Sequence, residues 1–281
     1  MIPQDFEYSA PATLKEALAL IAVGERKVMA GGMSLIPLMK LRLAAPEHVV
    51  DLGRIRDLNY ITESGGVVRI GATSTHHEIE ASPVIRGRLP LLAEAAGHIG
   101  DVQVRNRGTL GGSIAHADPA ADYPASLLAL EAKVRLASAK SERIVDAADF
   151  FLDPFTTAVE PGEIVQEVLI PVEEPSEGYR YEKVPHPASG FAVVGVAARI
   201  KKAGGKVTLA RIGVTGTGPR AFRARAAEKL LESGAEIAAA AAIVAEGQEV
   251  NTDLYASAGY RRHLTRVWAA RALTVAVSRA S

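Results

Sequence analysis

The stretch NRGTLGGSIAHADPAADYP, residues 106–124, decides how this sequence is interpreted. Its centre, TLGGS, places two glycines between hydroxyl side chains, a pattern typical of a turn whose main chain approaches a bound anion. Asp118 and Asp122 follow, just before the apolar segment YPASLLALEA. One of these aspartates is expected to cap the helix that this segment forms. A carboxylate beside an anion-binding loop also suits the vicinal hydroxyls of a ribose or ribityl chain.

A second glycine pair lies upstream, in AGGMSLIP at residues 30–37. A strand that ends in Gly31-Gly32 and continues into a helix can expose several backbone N–H groups at one point, and Ser34 adds a hydroxyl. The pattern matches neither G-x-G-x-x-G nor G-x-x-x-x-G-K-[ST], and a glycine pair alone more often marks a tight turn than an anion site. Together, the two loops and the aspartates predict a ligand with a pyrophosphate and a polyol, and FAD meets that description.

The residues around the first loop predict a small α/β unit over about 1–57. Thr13 and Glu16 have the spacing of a capping box at the start of a helix. The apolar stripe of that helix consists of Leu14, Ala17, Leu18 and Ile21. RKVMA and HVVDLG have the composition of strands. Strands that alternate with helices in this way predict a small parallel sheet.

The following region, about 58–175, predicts an α+β unit with a mixed or antiparallel sheet. Its predicted strands are GVVRIGATST, AKVRLAS, RIVDAADFF and EIVQEVLIPV, and LPLLAEAAGHI is a predicted helix. The Pro- and Glu-rich segment PVEEPSEG, residues 171–178, indicates a domain boundary.

Beyond that boundary the pattern predicts an antiparallel meander, with AGG as the hairpin turn between FAVVGVAARIKK and KVTLARIGVTG. Helices are predicted at about 220–232, 235–246 and 257–278. The expected fold is α+β with an α/β N-terminal part, divided into domains 1–175 and 176–281.

Composition excludes several classes of protein. The charges balance at 32 basic and 32 acidic residues, so neither a nucleic-acid-binding face nor a polybasic membrane anchor is predicted. The absence of cysteine excludes disulfides, thiolate zinc sites, cysteine-ligated iron–sulfur clusters and cysteine nucleophiles. The N-terminus does not have the pattern of a secretory signal, and no integral membrane segment is predicted. A cytoplasmic location is expected, with peripheral membrane association left open.

Two other kinds of site receive less support. His76-His77, and His116 with Asp118, have residue types that suit zinc or iron. Adjacent histidines point in different directions on a helix, however, which disfavours a metal site. A serine hydrolase would require the form G-x-S-x-G around its nucleophile, and GGS does not have it.

The chain resembles the FAD-binding medium subunit of molybdenum hydroxylases, with the aerobic carbon monoxide dehydrogenase group closest and xanthine dehydrogenase flavin domains more distant. The resemblance covers nearly the whole length. It rests on AGGMSLIPLMKLRLAAPEHVVDLGRI, HIGDVQVRNRGTLGGSIAHADPAADYPA, EIVQEVLIP and KVPHPASGFAVVGVAA. It implies a two-subdomain FAD-binding domain of the PCMH type, divided at about 1–57 and 58–175, followed by a small α+β domain with an antiparallel sheet and helices.

The resemblance also implies which residues bind the cofactor. The first loop would bind the FAD pyrophosphate through main-chain amides, the second loop would complete the cradle, and Asp122 would meet cofactor hydroxyls. Two further positions correspond to residues near the isoalloxazine, and a third corresponds to an aromatic residue beside it that is often tyrosine. The residues of the first loop are Ala30, Gly31, Gly32, Met33, Ser34 and Leu35, and those of the second loop are Thr109, Gly111, Gly112 and Ser113. The residues implied near the isoalloxazine are Val165 and Lys183, and the aromatic position is Phe191. Met33 departs from the family, where histidine or glutamine is frequent.

By the same resemblance, this chain is expected to be the flavin subunit of a heterotrimer, commonly a dimer of heterotrimers. A molybdopterin-binding large subunit would oxidise the substrate, 2Fe–2S clusters of a small subunit would carry the electrons, and FAD would pass them to an external acceptor. No catalytic acid or base and no metal site is then expected in this chain. The alternative is a self-contained FAD-dependent oxidase of the same fold superfamily.

Overall fold

The computed structural model describes residues 2–172 and 176–281. The boundary predicted at 171–178 therefore falls partly outside the described residues, as does the division predicted after Pro175.

The chain begins with a small three-stranded layer. Its elements are β1 (Glu7–Ser9), α1 (Leu14–Ile21), β2 (Lys27–Met29), α2 (Leu35–Lys40) and β3 (His48–Asp51). The strands lie in the order β1-β3-β2, and both pairings are parallel. The predicted parallel sheet is thus confirmed, and its central strand β3 leads directly toward the second subdomain.

Helix α1 begins with the predicted Thr13 cap, but Glu16 does not complete the predicted capping box. The Thr13 hydroxyl accepts the Glu16 amide at 3.2 Å. The Glu16 carboxylate accepts the amide of Ala12, one residue before the position that a capping box prescribes. Ala17, Leu18 and Ile21 are buried, so the predicted apolar stripe faces the core.

The middle region contains a five-stranded sheet and most of the short helices. Its elements are a 3₁₀ turn (Arg56–Leu58), β4 (Ile61–Ser64), β5 (Val67–Gly71), α3 (His76–Ala81), α4 (Pro83–Arg88), α5 (Pro90–Gly97), α6 (Val102–Arg105), α7 (Leu110–His116), α8 (Asp122–Ala129), β6 (Lys133–Ala137), β7 (Glu142–Asp146), α9 (Ala147–Phe150), β8 (Phe151–Asp153), β9 (Thr156–Thr157) and β10 (Ile164–Pro171). The sheet order is β4-β5-β10-β6-β7, and every pairing is antiparallel. The sheet predicted as mixed or antiparallel is therefore antiparallel.

The C-terminal region is an antiparallel sheet covered by helices. Its elements are β11 (Gly178–Pro185), β12 (Ala192–Ala203), β13 (Lys206–Thr215), β14 (Phe222–Arg223), α10 (Arg225–Glu232), α11 (Ile237–Ala242) and α12 (Ala258–Arg279). The strands pair in chain order. Gly204 and Gly205 form the β12–β13 turn with φ angles of 57° and 76°, which confirms the predicted AGG hairpin.

Helix α8 joins the middle and C-terminal regions. All eight of its residues are buried. One side belongs to the core of the middle region, and another side packs so closely on β13 that a side chain on Gly213 would come within 1.9 Å of the Ala125 carbonyl oxygen. The apolar run in YPASLLALEA therefore reflects a helix enclosed between the C-terminal sheet and the helices of the middle region.

Several predicted elements end earlier than the sequence pattern indicated: the strand predicted over GVVRIGATST ends at Gly71, and the helix predicted at 235–246 ends at Ala242. RIVDAADFF is not one strand, because β7 ends at Asp146, which takes the N-cap position of the short helix α9. The helix predicted over LIPLMKLRLAAP stops at Lys40, and Arg42 then adopts a left-handed φ of 60°. Within the described residues, none of the helices has the length and apolar character that a bilayer crossing requires.

Candidate functional site

The first loop, Ala30–Leu35, connects β2 to α2 and leaves a run of backbone donors unbonded. Gly32 adopts a left-handed φ of 76°, which turns the chain toward the helix. The first helical hydrogen bond runs from the Ile36 amide to the Gly32 carbonyl at 3.0 Å. Within residues 2–172 and 176–281, no acceptor takes the five amides from Gly31 to Leu35. Five consecutive unbonded donors after a glycine pair suit a multiply charged anion such as a pyrophosphate.

Gly31 is the point at which the two loops meet. A β-carbon at this position would lie 2.0 Å from the Arg107 carbonyl oxygen and 2.8 Å from Gly108 Cα. Both neighbours are backbone atoms, so no side-chain rearrangement could make room. Because Gly31 has no side chain, the two glycine loops can pack against each other.

The second loop differs because its amides already have partners inside the protein. The Gly111 amide donates to the Ala72 carbonyl at 2.9 Å, and the Ser113 amide donates to the Thr109 carbonyl at 2.9 Å. Thr109 is the N-cap of α7, and its hydroxyl oxygen accepts the Gly112 amide at 3.1 Å. The groups of this loop that remain for a ligand are the Thr109 amide and the Thr109 and Ser113 hydroxyls.

The glycine pair of the second loop is also explained by packing. A β-carbon on Gly111 would lie 2.5 Å from Ala72 Cβ, so this glycine allows α7 to rest on the end of β5. A β-carbon on Gly112 would lie 2.8 Å from Thr109 Oγ1 and 3.8 Å from Ala30 Cβ. Gly112 therefore faces both the helix cap and the first loop.

Asp122 belongs to a buried network between α8 and β11. Its carboxylate accepts the Tyr181 hydroxyl at 2.6 Å and the Lys183 ammonium at 2.9 Å. Lys183 also donates to the His98 carbonyl at 2.8 Å. Burial raises the pKa of Asp122 to about 6, and the Lys183 charge and the Tyr181 hydrogen bond oppose that rise. Asp122 is thus the first residue of α8 and an ion-pair partner rather than its cap.

The prediction that Asp118 or Asp122 caps α8 is wrong, because the N-cap position is Ala121 and no side chain caps the helix. Asp118 instead stabilises the turn before it. Its carboxylate accepts the Ala120 amide at 2.8 Å, which closes a turn. Ala117, at the end of α7, has a left-handed φ of 48°, an unfavourable conformation for alanine by about 1 kcal/mol. The strained residue and the turn direct the chain from α7 toward Asp122.

The segment between the two aspartates is bound to the C-terminal sheet through its backbone. The Thr215 hydroxyl contacts the carbonyls of Pro119 and Ala121 at 2.9 and 2.7 Å. The Ala192 amide donates to the Ala120 carbonyl at 3.1 Å. The DPAAD segment therefore connects the middle region to the C-terminal region. The bond to Ala192 also places Phe191, the residue before it, next to this segment.

That preceding residue is Phe191, whose side chain is 42% exposed at the end of the loop before β12. Val165 lies in β10 and is buried in the core of the middle region. The neighbouring Gln166 carbonyl accepts the Ala72 amide, which places this strand next to the residue that supports Gly111. In the first loop, Leu35 is buried with Met39 and Val49, whereas Met33 is exposed.

A cleft of about 460 Å³ opens beside the contact between the loops. Three of the predicted site residues line it, namely Ala30, Gly31 and Thr109. The sequence interpretation missed the others, which are Gly53, Ile55, Arg56, Asn59, Thr73, Thr75, Glu78, Asn106 and Arg107. Asn106 and Arg107 stand within the quoted motif and could have been found there. The remaining residues carry no local pattern that distinguishes them.

The histidines raised as metal ligands have other surroundings. His76 is buried, and its Nδ1 lies 3.2 Å from the Tyr123 hydroxyl oxygen. Burial, and next the charge of Arg105, lower the pKa of His76 to about 4. In the part of the chain that the structure describes, no group of three or more His, Asp or Glu side chains is arranged to hold a metal ion.

These features fit the shape and chemistry of FAD. Unbonded amides and hydroxyls meet at the contact between the loops, while Asp122, Lys183 and Phe191 gather where α8 meets the C-terminal sheet. Helix α7 lies between the two groups along the chain. A ligand that contacts both would have an anionic centre and a separate end, as a flavin dinucleotide has.

Comparison with known families gives two matches along the chain. Residues 4–173 match the FAD binding domain in molybdopterin dehydrogenase. Residues 179–276 match the carbon monoxide dehydrogenase flavoprotein C-terminal domain. Together the two matches account for most of the sequence.

Individual relatives match nearly end to end. The chain is 40% identical over 286 residues to the carbon monoxide dehydrogenase medium chain of Hydrogenophaga pseudoflava, covering 99% of each. It is also 40% identical over 232 residues to the glyceraldehyde dehydrogenase medium chain of Sulfolobus acidocaldarius, covering 82% of each. With the 6-hydroxypseudooxynicotine dehydrogenase complex subunit alpha of Paenarthrobacter nicotinovorans it shares 36% identity over 287 residues, 100% of this chain and 97% of the relative.

Solved structures agree with the fold. A chain of the carbon monoxide dehydrogenase from Hydrogenophaga pseudoflava superposes with a TM-score of 0.97 at 42% identity, covering 100% of both chains. A chain of the quinoline 2-oxidoreductase from Pseudomonas putida 86 superposes with a TM-score of 0.93 at 33% identity, covering 100% of this chain and 99% of the other.

Proposed function

The chain belongs to the family of FAD-binding domains of molybdopterin dehydrogenases, and from that premise we propose that it is the flavin subunit of a heterotrimeric molybdenum hydroxylase resembling aerobic carbon monoxide dehydrogenase. Its partners would be a molybdopterin-binding large subunit and a small subunit with 2Fe–2S clusters, in a dimer of heterotrimers. The names of the relatives support a medium-subunit role, because they include a medium chain and a subunit of a dehydrogenase complex.

The observation that carries the proposal is the run of five unbonded amides from Gly31 to Leu35, set against the second glycine loop. These amides would bind the pyrophosphate, and the hydroxyls of Thr109 and Ser113 would bind it from the other side. Because the contacts come from backbone, the exposed Met33 does not interrupt them. Gly111 and Gly112 would act by bringing α7 close enough for this arrangement.

At the other end of the site, the chain's residues would position the ring system. Asp122, fixed by Tyr181 and Lys183, retains lone pairs for a ligand hydroxyl. Val165 would contribute apolar contact and Phe191 an aromatic face with an exposed edge. When bound, FAD supplies one- and two-electron redox chemistry that amino-acid side chains lack. The chain itself has no cysteine with which to hold an iron–sulfur cluster.

The family matches also support the proposed division into domains 1–175 and 176–281, since one ends at residue 173 and the next begins at 179. The DPAAD segment is bonded to β12 and β13, however, so both domains would be needed to form a complete flavin site.

The test is to purify the chain with and without its partners. The isolated, flavin-loaded chain should contain FAD rather than FMN, and acid precipitation should release the FAD into the supernatant. Dithionite should reduce the flavin and an artificial acceptor or quinone should reoxidise it. Carbon monoxide or aldehyde oxidation should appear only after both partner subunits are added. Substrate turnover by the isolated chain, free of molybdenum and iron by metal analysis, would instead establish the self-contained oxidase.

A further inference from the structure

A buried arginine at the start of α12 bonds to three segments of the chain near Phe191. Arg261 is 6% exposed and lies in the first turn of the helix, where the helix dipole disfavours a positive charge. Its Nη1 donates to the carbonyls of Val193 at 2.6 Å and Gly216 at 2.8 Å, and its Nη2 donates to the Asp253 carboxylate. Because burial and the helix position both disfavour the charge, these bonds must offset a substantial cost.

The two carbonyls fix the backbone that follows Phe191. Val193 is the second residue of β12 and lies two positions after Phe191. Gly216 follows β13, and with its left-handed φ of 76° it lies so close to β12 that a β-carbon would be 2.4 Å from the Ala192 carbonyl oxygen. The Gly216 amide also donates to the Pro119 carbonyl at 2.8 Å. One guanidinium therefore bonds to both strand ends where they meet the DPAAD segment.

The Asp253 carboxylate connects the same arginine to the loop before α12. It accepts the amides of Tyr255 at 2.9 Å and Ala256 at 2.8 Å, which closes a turn. The Tyr255 ring, held by this turn, packs on the His186 ring with the two centroids 4.5 Å apart. Through Asp253, Arg261 therefore fixes the aromatic residue that packs on the loop before β12.

His186 in turn closes the loop that carries Phe191. The His186 amide donates to the Phe191 carbonyl at 2.7 Å, and the Gly190 amide donates to the His186 carbonyl at 2.8 Å. The His186 Nδ1 accepts the amides of Ala188 and Ser189 at 3.2 and 3.3 Å. The loop is therefore bonded within itself, and it is held from outside by an aromatic contact at its start and by the backbone at its end.

We propose that Arg261 is a positioning residue for Phe191, acting through Asp253 at the start of the loop and through the Val193 carbonyl at its end. The inference rests on the proposed function, which puts Phe191 beside the ring system of FAD. An apolar ring held in one place covers part of the flavin and keeps water and charged electron acceptors away from it. Without Arg261 the loop loses both attachments, and Phe191 no longer covers the flavin continuously.

The first measurement needs no flavin. In the flavin-free, full-length chain, Arg261→Gln and Asp253→Asn should each raise the exchange rates of the His186 and Gly190 amides about tenfold, because a charge-assisted bond that holds the loop closed is lost. The matched control is Arg223→Gln, since Arg223 is an arginine of the same domain whose carboxylate partners lie outside the loop. The control should lose stability but leave the exchange of these two amides unchanged.

The second measurement tests whether Arg261 acts through Phe191. The flavin-loaded chain is reduced with dithionite and then reoxidised by ferricyanide, two of which take the two electrons of each reduced flavin. Arg261→Gln and Phe191→Ala should each speed this reoxidation about tenfold, because the aromatic ring is displaced or absent. The double variant should be no faster than Phe191→Ala alone, because a residue that acts by placing another has no effect once that other is removed. Arg223→Gln should reoxidise at the wild-type rate.

Failure of this inference and failure of the proposed function give different results. If the wild-type chain does not bind FAD, the proposed function is wrong, and the exchange measurement alone decides whether Arg261 holds the loop. If FAD binds but Arg261→Gln stays within twofold of Arg223→Gln in both measurements, or if its effect adds in full to that of Phe191→Ala, the positioning role is overturned. If circular dichroism shows that Arg261→Gln does not fold, Asp253→Asn replaces it in both measurements, because the Asp253 side chain is half-exposed and asparagine keeps an acceptor for the turn.

Discussion

The two glycine loops have similar sequences, yet the structure uses them in opposite ways. In the first loop, the five amides from Gly31 to Leu35 have no acceptor in the described protein. In the second loop, the amides of Gly111, Gly112 and Ser113 are all bonded internally, and the downstream Asp122 is held by Tyr181 and Lys183. The first loop therefore leaves its amide donors open to a ligand, whereas the amides of the second loop hold α7 against the residues before it and after β5.

The largest effect is expected where the loops touch. Gly31→Ala should abolish FAD binding, because the added carbon would lie 2.0 Å from the Arg107 carbonyl oxygen and must force the loops apart. The matched control is Gly87→Ala in α4, where nothing lies within 4 Å; it should keep full FAD binding and gain up to ~1 kcal/mol in helix stability. Flavin absorbance per chain measures FAD binding in both variants. Equal flavin content in the two variants would show that contact between the loops is not required.

The next change enlarges the second loop. Gly112→Val should weaken FAD binding by at least about a hundredfold while the C-terminal domain stays folded, because the side chain would displace the Thr109 cap and press toward Ala30. Flavin absorbance and circular dichroism together test this. Full flavin occupancy in Gly112→Val would mean that this glycine serves a turn and nothing more.

Breaking the buried ion pair between Asp122 and Lys183 should lower the stability of the protein more than it weakens ligand binding by the first loop. Asp122→Asn leaves the Lys183 ammonium buried without its counter-charge and should lower the free energy of unfolding by about 3 kcal/mol. Adding Lys183→Met should recover much of that loss, because no unpaired charge then remains. Urea titrations of the single and double variants measure this coupling. Additive losses would contradict the structural role assigned to the pair.

The smallest expected effect is a dependence of protein stability on pH, caused by His76 beneath the second loop. His76 donates its amide to the Gly108 carbonyl, and its pKa is lowered to about 4 by burial and by Arg105. A histidine whose folded pKa lies below its unfolded value of about 6.5 contributes stability that is complete above that value and is lost as pH falls. Between pH 7 and pH 5 the loss should be roughly 2 kcal/mol, and His76→Asn should remove it. Because the pKa of Asp122 is raised by burial, Asp122 adds stability as pH falls, opposite to His76. The free energy of unfolding must therefore be measured against pH for both the wild-type chain and His76→Asn, and the two curves compared.

The sequence predicted the fold well where local pattern and tertiary environment agree. The Thr13 cap with its apolar stripe and the Gly204-Gly205 hairpin depend on neighbouring residues only, and both were confirmed. The strand predicted across Asp146 failed, because a short helix of four residues has too little periodicity to show in the sequence.

Prediction of the candidate site was likewise limited to features that a local sequence pattern reveals. The two loops were visible because glycine pairs and clustered aspartates are unusual, but sequence does not reveal which amides are already bonded. Tyr181 escaped notice because an aromatic residue in a strand is ordinary, and only tertiary packing brings its hydroxyl to Asp122 across 59 positions. Arg56 and Thr73 likewise line the cleft together with Ala30 and Gly31 only through tertiary packing.

Amide hydrogen exchange of the full-length chain, followed residue by residue without and with FAD, tests the role of the first loop directly. We expect the amides from Gly31 to Leu35 to exchange fast in the flavin-free chain and to slow strongly when FAD binds, because the ligand supplies their missing acceptors. The amides of Gly111 to Ser113 should already be protected and change little. If FAD binds while the first loop continues to exchange at its unliganded rate, the amides of that loop do not bind the cofactor.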